Sequence, residues 1–281
     1  MREPIATGFY EDNFDALEKQ ITECFKHKLG PGDLPIKKRD KKLKAVIVPH
    51  AGYSYSGPCA AWAYKEIAES EFPKTFILLG PTHRSNKSGI SLEDWKTPFG
   101  IVKTDKELAI KIKENTELEI DEETHTDEHS IEVQLPFLQF VNKDKLSNLK
   151  IVAIAITNDI DYRKLANDLN KITKDKKIVF IVSSDFTHYG PDYGYVPFSS
   201  DIKERLENLD KEAFNHIKNL NADGFADFIN KSGATICGFM PILLLLEMLE
   251  KAKVEVLLYY TSAALTGDER NSVSYASITF R

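Results

Sequence analysis

Short, almost purely apolar runs alternate with longer stretches in which apolar residues recur at helical spacing. The runs 45-AVIVP-49, 76-FILLG-80, 150-KIVAIAI-156 and 177-KIVFIVSS-184 carry almost no polar position on either side. That is the pattern of strands covered on both faces of a sheet. Between them the spacing predicts helices. The first runs roughly 12–28, with Phe14, Leu17, Ile21, Cys24 and Phe25 on one face. Others follow near 58–70, 105–115, 127–142, 160–173, 201–219, 223–231 and 238–251. Pro58 suits a first helical turn. A hairpin-like region spans roughly 88–103, and two strands follow at 253–263 and 272–280. Strands alternating with helices predict an α/β protein with a mostly parallel or mixed central sheet and helices on both faces. No linker-like composition interrupts the pattern, so residues 1–281 read as one domain.

Composition narrows the choice of function. Of 281 residues, 42% are hydrophobic and 28% charged, which is ordinary for a globular protein, and the net charge is −6. An acidic balance argues against nucleic acid as a partner, because phosphate backbones select basic faces. The basic run 37-KKRDKKLK-44 reads as a solvated connector. The opening residues lack the apolar core of a secretory signal. The longest apolar run, 236-ICGFMPILLLLEML-249, falls short of the roughly 20 residues a bilayer requires and reads as a buried helix. Cys24, Cys59 and Cys237 are odd in number and widely spaced, unlike a disulfide framework or zinc knot. These features point to the cytoplasm, with no membrane association.

Candidate chemistry gathers where strands end. Ligands in open α/β sheets bind beyond the carboxyl ends of the strands. The strand at 45–49 ends at His50, that at 76–80 is followed by His83, and that at 177–184 runs into Asp185 and His188. Any one of these alone is an ordinary turn residue. Three strands delivering imidazole or carboxylate to one sheet edge point to a metal or acid–base site. Cys237 opens the apolar helix, where a helix dipole favours thiolate. Gly233 and Gly238 beside it permit close backbone approach. Cys24 and Cys59 read as packing.

The segment 125-HTDEH-129 matches the H-x-x-E-H pattern of some zinc peptidases, with His125 and His129 as ligands and Glu128 as base. Thr126 or Asp127, however, reads as the cap of the helix at 127–142, leaving His125 off the face of His129. The expectation is that His129 points into the pocket, with Glu132 and Gln134 within the next turn.

Seven segments together carry a resemblance: 2-REPIATGFY-10, 48-VPHAGYSYSG-57, 79-LGPTHR-84, 128-EHSIEVQLPFLQ-139, 183-SSDFTHYG-190, 236-ICGFMPI-242 and 275-YASITF-280. The sequence resembles the Memo family, named in animals for mediating ErbB-driven cell motility. The resemblance implies a fold like that of the class III extradiol dioxygenases, non-haem iron enzymes that hold iron(II) with two His and a carboxylate. For this chain it implies metal ligands His50, His83 and Cys237, with Asp185, His188 and His129 as catalytic lining. A thiolate in the third place suits copper as well as iron, with zinc also possible. With Asp185 as third ligand, iron is favoured. The resemblance further implies metal-dependent oxidoreduction of an unidentified substrate and a radical-SAM protein as partner. Two other readings stand beside it. One is a binding module for a peptide or small anion, walled by Tyr53, Tyr55, Tyr189 and Tyr193, in line with the phosphopeptide adaptor role of animal members. The other is a zinc hydrolase built on 125-HTDEH-129.

Overall fold

A computed structural model describes residues 1–36, 39–174 and 176–281, and its strands join one ten-stranded sheet. In chain order the elements are α1 (Phe14–Lys26), β1 (Ala45–Val48), α2 (Tyr53–Glu69), β2 (Thr75–Pro81), β3 (Gly89–Ser91), β4 (Trp95–Thr97) and β5 (Gly100–Thr104). There follow α3 (Lys106–Asn115), α4 (Glu123–Thr126), α5 (Gln134–Val141), β6 (Lys150–Ile156), α6 (Tyr162–Thr173), β7 (Ile178–Ser183) and β8 (His188–Tyr189). The rest are α7 (Ile202–Lys218), α8 (Ala222–Ser232), α9 (Phe239–Met248), β9 (Val254–Thr261), α10 (Ala263–Thr266) and β10 (Ser272–Phe280).

The path across the sheet is β4-β5-β6-β2-β7-β1-β10-β8, with β3 beside β6 and β9 beside β10. From β5 to β1 all neighbours are parallel, whereas β10 runs antiparallel to β1. The sheet is therefore mixed around a parallel centre, in a single α/β domain. Alternate residues of each central strand serve opposite cores. Ile47, Ile77, Leu79, Val152, Ile154 and Val182 face α3 and α6–α9. Val46, Val48, Phe76, Leu78, Ile151 and Ile181 face α1, α2 and α5. This explains the uninterrupted apolar runs. No helix among the described residues is long and apolar enough to cross a membrane.

Three expectations change. Helix α2 begins at Tyr53, so Pro58 lies inside it. The carbonyl that loses its helical donor belongs to Ser54, on the exposed side, where solvent can reach it. No helix spans 127–142: only Gln134–Val141 is helical, and Asp127 caps the end of α4 instead of starting a helix. The turns between keep Glu128, Ser130 and Glu132 buried, with side chains bonded to distant segments. In the basic run, Lys37 and Lys38 lie outside the described residues. Beyond them, Lys41 pairs with Glu66 and Glu69, and Arg39 pairs with Asp144 and lies over Phe72. That part is a connector exposed at Asp40, Lys42 and Lys44 but pinned at Arg39 and Lys41.

Candidate metal centre

The site begins where β7 ends. Past Ser183 the chain leaves β7 and crosses the carboxyl end of β1. Ser184 N–H donates to the Val48 carbonyl, Phe186 N–H donates to the Ser274 carbonyl, and Ser274 N–H donates back to Thr187. The crossing carries Asp185 over the end of β1. Its Oδ1 accepts from the N–H groups of His50 (2.8 Å) and Ala51 (3.3 Å), closing the strand as a cap closes a helix. The buried acid Asp210 of α7 holds the crossing from behind, accepting from Thr187 Oγ1 at 2.6 Å and Tyr259 Oη at 2.8 Å.

His50 is 2% exposed, and its proton can be placed by elimination. Ser183 Oγ donates its one hydrogen to the Ser130 carbonyl (2.6 Å) and accepts from Gln134 Nε2 (2.9 Å). It lies 2.9 Å from His50 Nδ1 and has no second hydrogen to give, so Nδ1 carries the proton. The Nε2 lone pair then faces the pocket. Burial, followed by the neighbouring imidazoles of His83, His129 and His188, holds His50 well below the usual range; it is a neutral ligand in waiting.

Cys237 comes from the turn before α9. Its Sγ lies 3.2 Å from His50 Nε2 and accepts the Asp185 N–H at 3.1 Å. Gly238 makes the approach possible: a Cβ there would meet Ser184 Cβ at 2.4 Å and the Ser183 carbonyl at 2.7 Å. Gly233 serves differently, as the left-handed cap of α8. The dipole does not make Cys237 a free thiolate. Burial, then the Asp185 carboxylate, pushes the thiol well above its ordinary value. A cation is needed to take the proton's place.

The opposite wall comes from 83–84 and 128–132. His83 Nδ1 lies 3.0 Å from Glu128 Oε1, and the His83 N–H donates to the same carboxylate. The rings of His83 and His129 stack at 4.8 Å, and each meets His50 nearly edge-on at 5.3 and 5.5 Å. Phe9 covers the other side of His129 at 4.4 Å. Burial brings His129 down to about 4, partly offset by Glu128. Below this wall, Arg2 bonds the carbonyls of His125 and Glu128 and pairs with Glu132. Glu132 also accepts from Ile5 N–H, Ala6 N–H and Tyr10 Oη.

His188 stands at the rim. Its Nδ1–H faces the carbonyls of Phe186 and Thr235, both at 3.0 Å. Among the described residues its Nε2 has no such partner, and Tyr193 packs edge-on at 5.2 Å. Tyr55 and Tyr193 are exposed; Tyr53 and Tyr189 are buried in the packing instead of lining a surface. His125 is fully buried, bonded through Nε2 to the Gly89 carbonyl and packed on Trp95. It belongs to neither cluster of converging ligand atoms, so the H-x-x-E-H pattern forms no zinc pair.

Two clusters share His50: His50, His83 and His129, and His50, Asp185 and Cys237. Within each, the ligand atoms all lie within 4.8 Å of one another. Two donors on one ion, each about 2.0–2.3 Å from it, stand up to about 4.6 Å apart. Each cluster is a candidate for holding a metal ion, but His83 and Cys237 fall in different clusters, so the expected trio His50, His83 and Cys237 is not gathered within that distance. Sequence reasoning missed Ser183 and Gln134 as orienting groups, Arg2 as the base of a wall, and Glu128 as anything but a peptidase base. One signal was available: residues 128, 130, 132 and 134 are polar at every second position amid Ile131, Val133 and Leu135, and all four polar residues are buried.

Comparison with known proteins agrees along the whole chain. The family model described as Memo-like protein matches residues 2–279. A MEMO1 family protein of Sulfurisphaera tokodaii is 38% identical, covering 98% of this chain and 97% of its own. Another, from Methanothermobacter thermautotrophicus, is 35% identical over 99% of both. The crystal structure of uncharacterized protein JW3007 from Escherichia coli K12 superposes with a TM-score of 0.55 at 13% identity, covering 85% of this chain and all of that one. That likeness concerns the fold. With the family model spanning residues 2–279 and archaeal relatives matching end to end, the chain belongs to the Memo family.

Proposed function

We propose that this protein is a metal-dependent oxidoreductase acting on a small molecule, its ion held by His50, His83 and Cys237. The observation that carries the reading is the single Nε2 lone pair of His50, with a thiol 3.2 Å away and the His83 ring 5.3 Å from its own ring. Because Nδ1 is committed to Ser183, His50 serves one ion, and each cluster contributes a donor around it. Two imidazoles and a thiolate form a soft set suited to iron or copper, with zinc also accommodated. When bound, iron or copper would supply the one-electron chemistry that no side chain here provides.

The remaining residues take positions around that centre. Among the described residues Asp185 Oδ2 accepts no hydrogen bond; it lies 4.0 Å from His50 Nε2, placed to orient a ligand or, on iron, to join the coordination. His188 holds Nδ1–H against two carbonyls, leaving Nε2 to take up and return a proton at the rim. His129 walls the pocket. The class III extradiol dioxygenase fold is the architecture we propose as the nearest parallel, with a radical-SAM protein as partner and the cytoplasm as compartment. Elemental analysis of anaerobically purified protein tests the reading. One equivalent of iron or copper per chain is expected, lost in His50→Ala and Cys237→Ser. Stoichiometric metal retained in both variants would overturn it.

The exposed pair Tyr55 and Tyr193 supports a second reading, a module that binds a peptide or small anion at this mouth. Binding of an acidic or phosphorylated peptide that survives metal stripping and Cys237→Ser would favour it.

A further inference from the structure

We infer that Glu128 is the positioning residue of the metal site, fixing the His83 imidazole so that Nε2 alone faces the ion. The inference rests on the metal-site reading above. Glu128 is 1% exposed and its carboxylate meets three N–H groups: His83 N–H, His83 Nδ1–H at 3.0 Å, and Ser130 N–H at 2.8 Å. The two backbone bonds would suffice to tie 83–84 to 128–130. The third decides chemistry, because a carboxylate accepts and cannot donate. It forces the His83 proton onto Nδ1 and leaves Nε2 as the one lone pair of a ring whose centroid lies 5.3 Å from that of His50. The same carboxylate lies 3.6 Å from His129 Nδ1, so one buried charge backs both imidazoles of this wall. Carboxylates behind metal-bound histidines raise ligand basicity and fix ring orientation.

A neighbour supplies the control. Glu132 is equally buried and accepts from four groups, those of Arg2, Ile5, Ala6 and Tyr10. It holds the amino-terminal arm and touches no imidazole. Glu128→Gln replaces one acceptor oxygen by an NH2 group that faces a ring of donors. Glu132→Gln does the same one step from the site.

The test is titration of metal-free protein with zinc and with cobalt(II), following the cobalt spectrum. Glu128→Gln is expected to weaken zinc binding about 10–100-fold and to shift the cobalt ligand-field bands. Glu132→Gln is expected to lower the unfolding midpoint while leaving zinc affinity within about twofold and the bands unmoved. Adding Glu128→Gln to His83→Ala should cost little further affinity, since the two act through one contact. A loss under twofold in Glu128→Gln, or an undiminished loss in the His83→Ala background, overturns the inference while leaving the metal site standing. Wild-type protein that takes up neither metal removes both. Nitrogen NMR of the His83 ring in wild-type protein at alkaline pH needs no variant: the proton must be on Nδ1, and finding it on Nε2 refutes the assignment.

Discussion

His50 divides its pocket into two unlike halves. On one side stand His83 and His129, a third or less exposed as side chains, backed by the buried carboxylate of Glu128, with the Arg2–Glu132 pair anchoring the chain beneath. On the other side stand Asp185 and Cys237, held by backbone contacts: strand-end N–H groups on Asp185, the Asp185 N–H on sulfur, and a glycine pressed against Ser184. The imidazole half depends on electrostatics and the thiol half on close packing, so different changes should break them.

The largest effect should come from His50→Ala, which removes the one donor common to both clusters. Metal uptake should vanish even on titration, whereas His83→Ala and Cys237→Ser, each removing one flank, should lose the ion on purification yet take it up weakly when it is added back; titration of the three variants side by side checks the ranking. Next is Arg2→Ala, which leaves the Glu132 carboxylate buried and unpaired. A broken buried pair costs about 3–5 kcal/mol, readable in urea unfolding, while the alkylation rate of native Cys237 should hold. Gly238→Ala should follow at about 1–3 kcal/mol from overpacking, read by thermal unfolding. Its damage should fall on the thiol half and leave the His83–His129 stack intact.

The smallest effect is a pair of opposite pH slopes in metal-free protein. Folding lowers His129 to about 4 and lowers His50 as well. The unfolded chain therefore binds more protons below pH 6.5, and stability should fall as pH drops from 6.5 toward 4. Folding raises the Cys237 thiol above its ordinary 9.0. Above that pH the unfolded chain releases a proton the folded one keeps, so stability should fall again. Each proton contributes about 1.4 kcal/mol per pH unit, and unfolding free energies across the range should show a dome. His129→Phe should make its acid limb shallower, His50 and His125 still contributing, and Cys237→Ala its alkaline limb, Cys24 and Cys59 still contributing.

Much of this arrangement is legible in the amino-acid sequence. The apolar runs announce the central strands, and the rule that strand ends carry function puts His50, His83 and Asp185 at one edge. Periodicity fails at 127–133, where buried polar side chains, satisfied only by distant partners, override helical spacing. It fails again at Pro58, because a helix start fixed by the Tyr53 N–H to Phe9 carbonyl bond is a tertiary event. Glu128 is hidden for the same reason. Its role depends on His83, 45 residues away, and no local pattern marks a carboxylate that serves an imidazole.

The crossing of 184–187 over the end of β1 has a consequence for how the pocket comes into being. His50 and Cys237 are 187 residues apart, and Asp185 reaches His50 only along a segment hydrogen-bonded to β10. No short stretch of the chain contains even a rudimentary version of this site. An emerging polypeptide has nothing with which to capture an ion until its sheet is nearly whole. If the proposed ion is bound, its equivalents in a preparation would therefore be a census of correctly folded molecules.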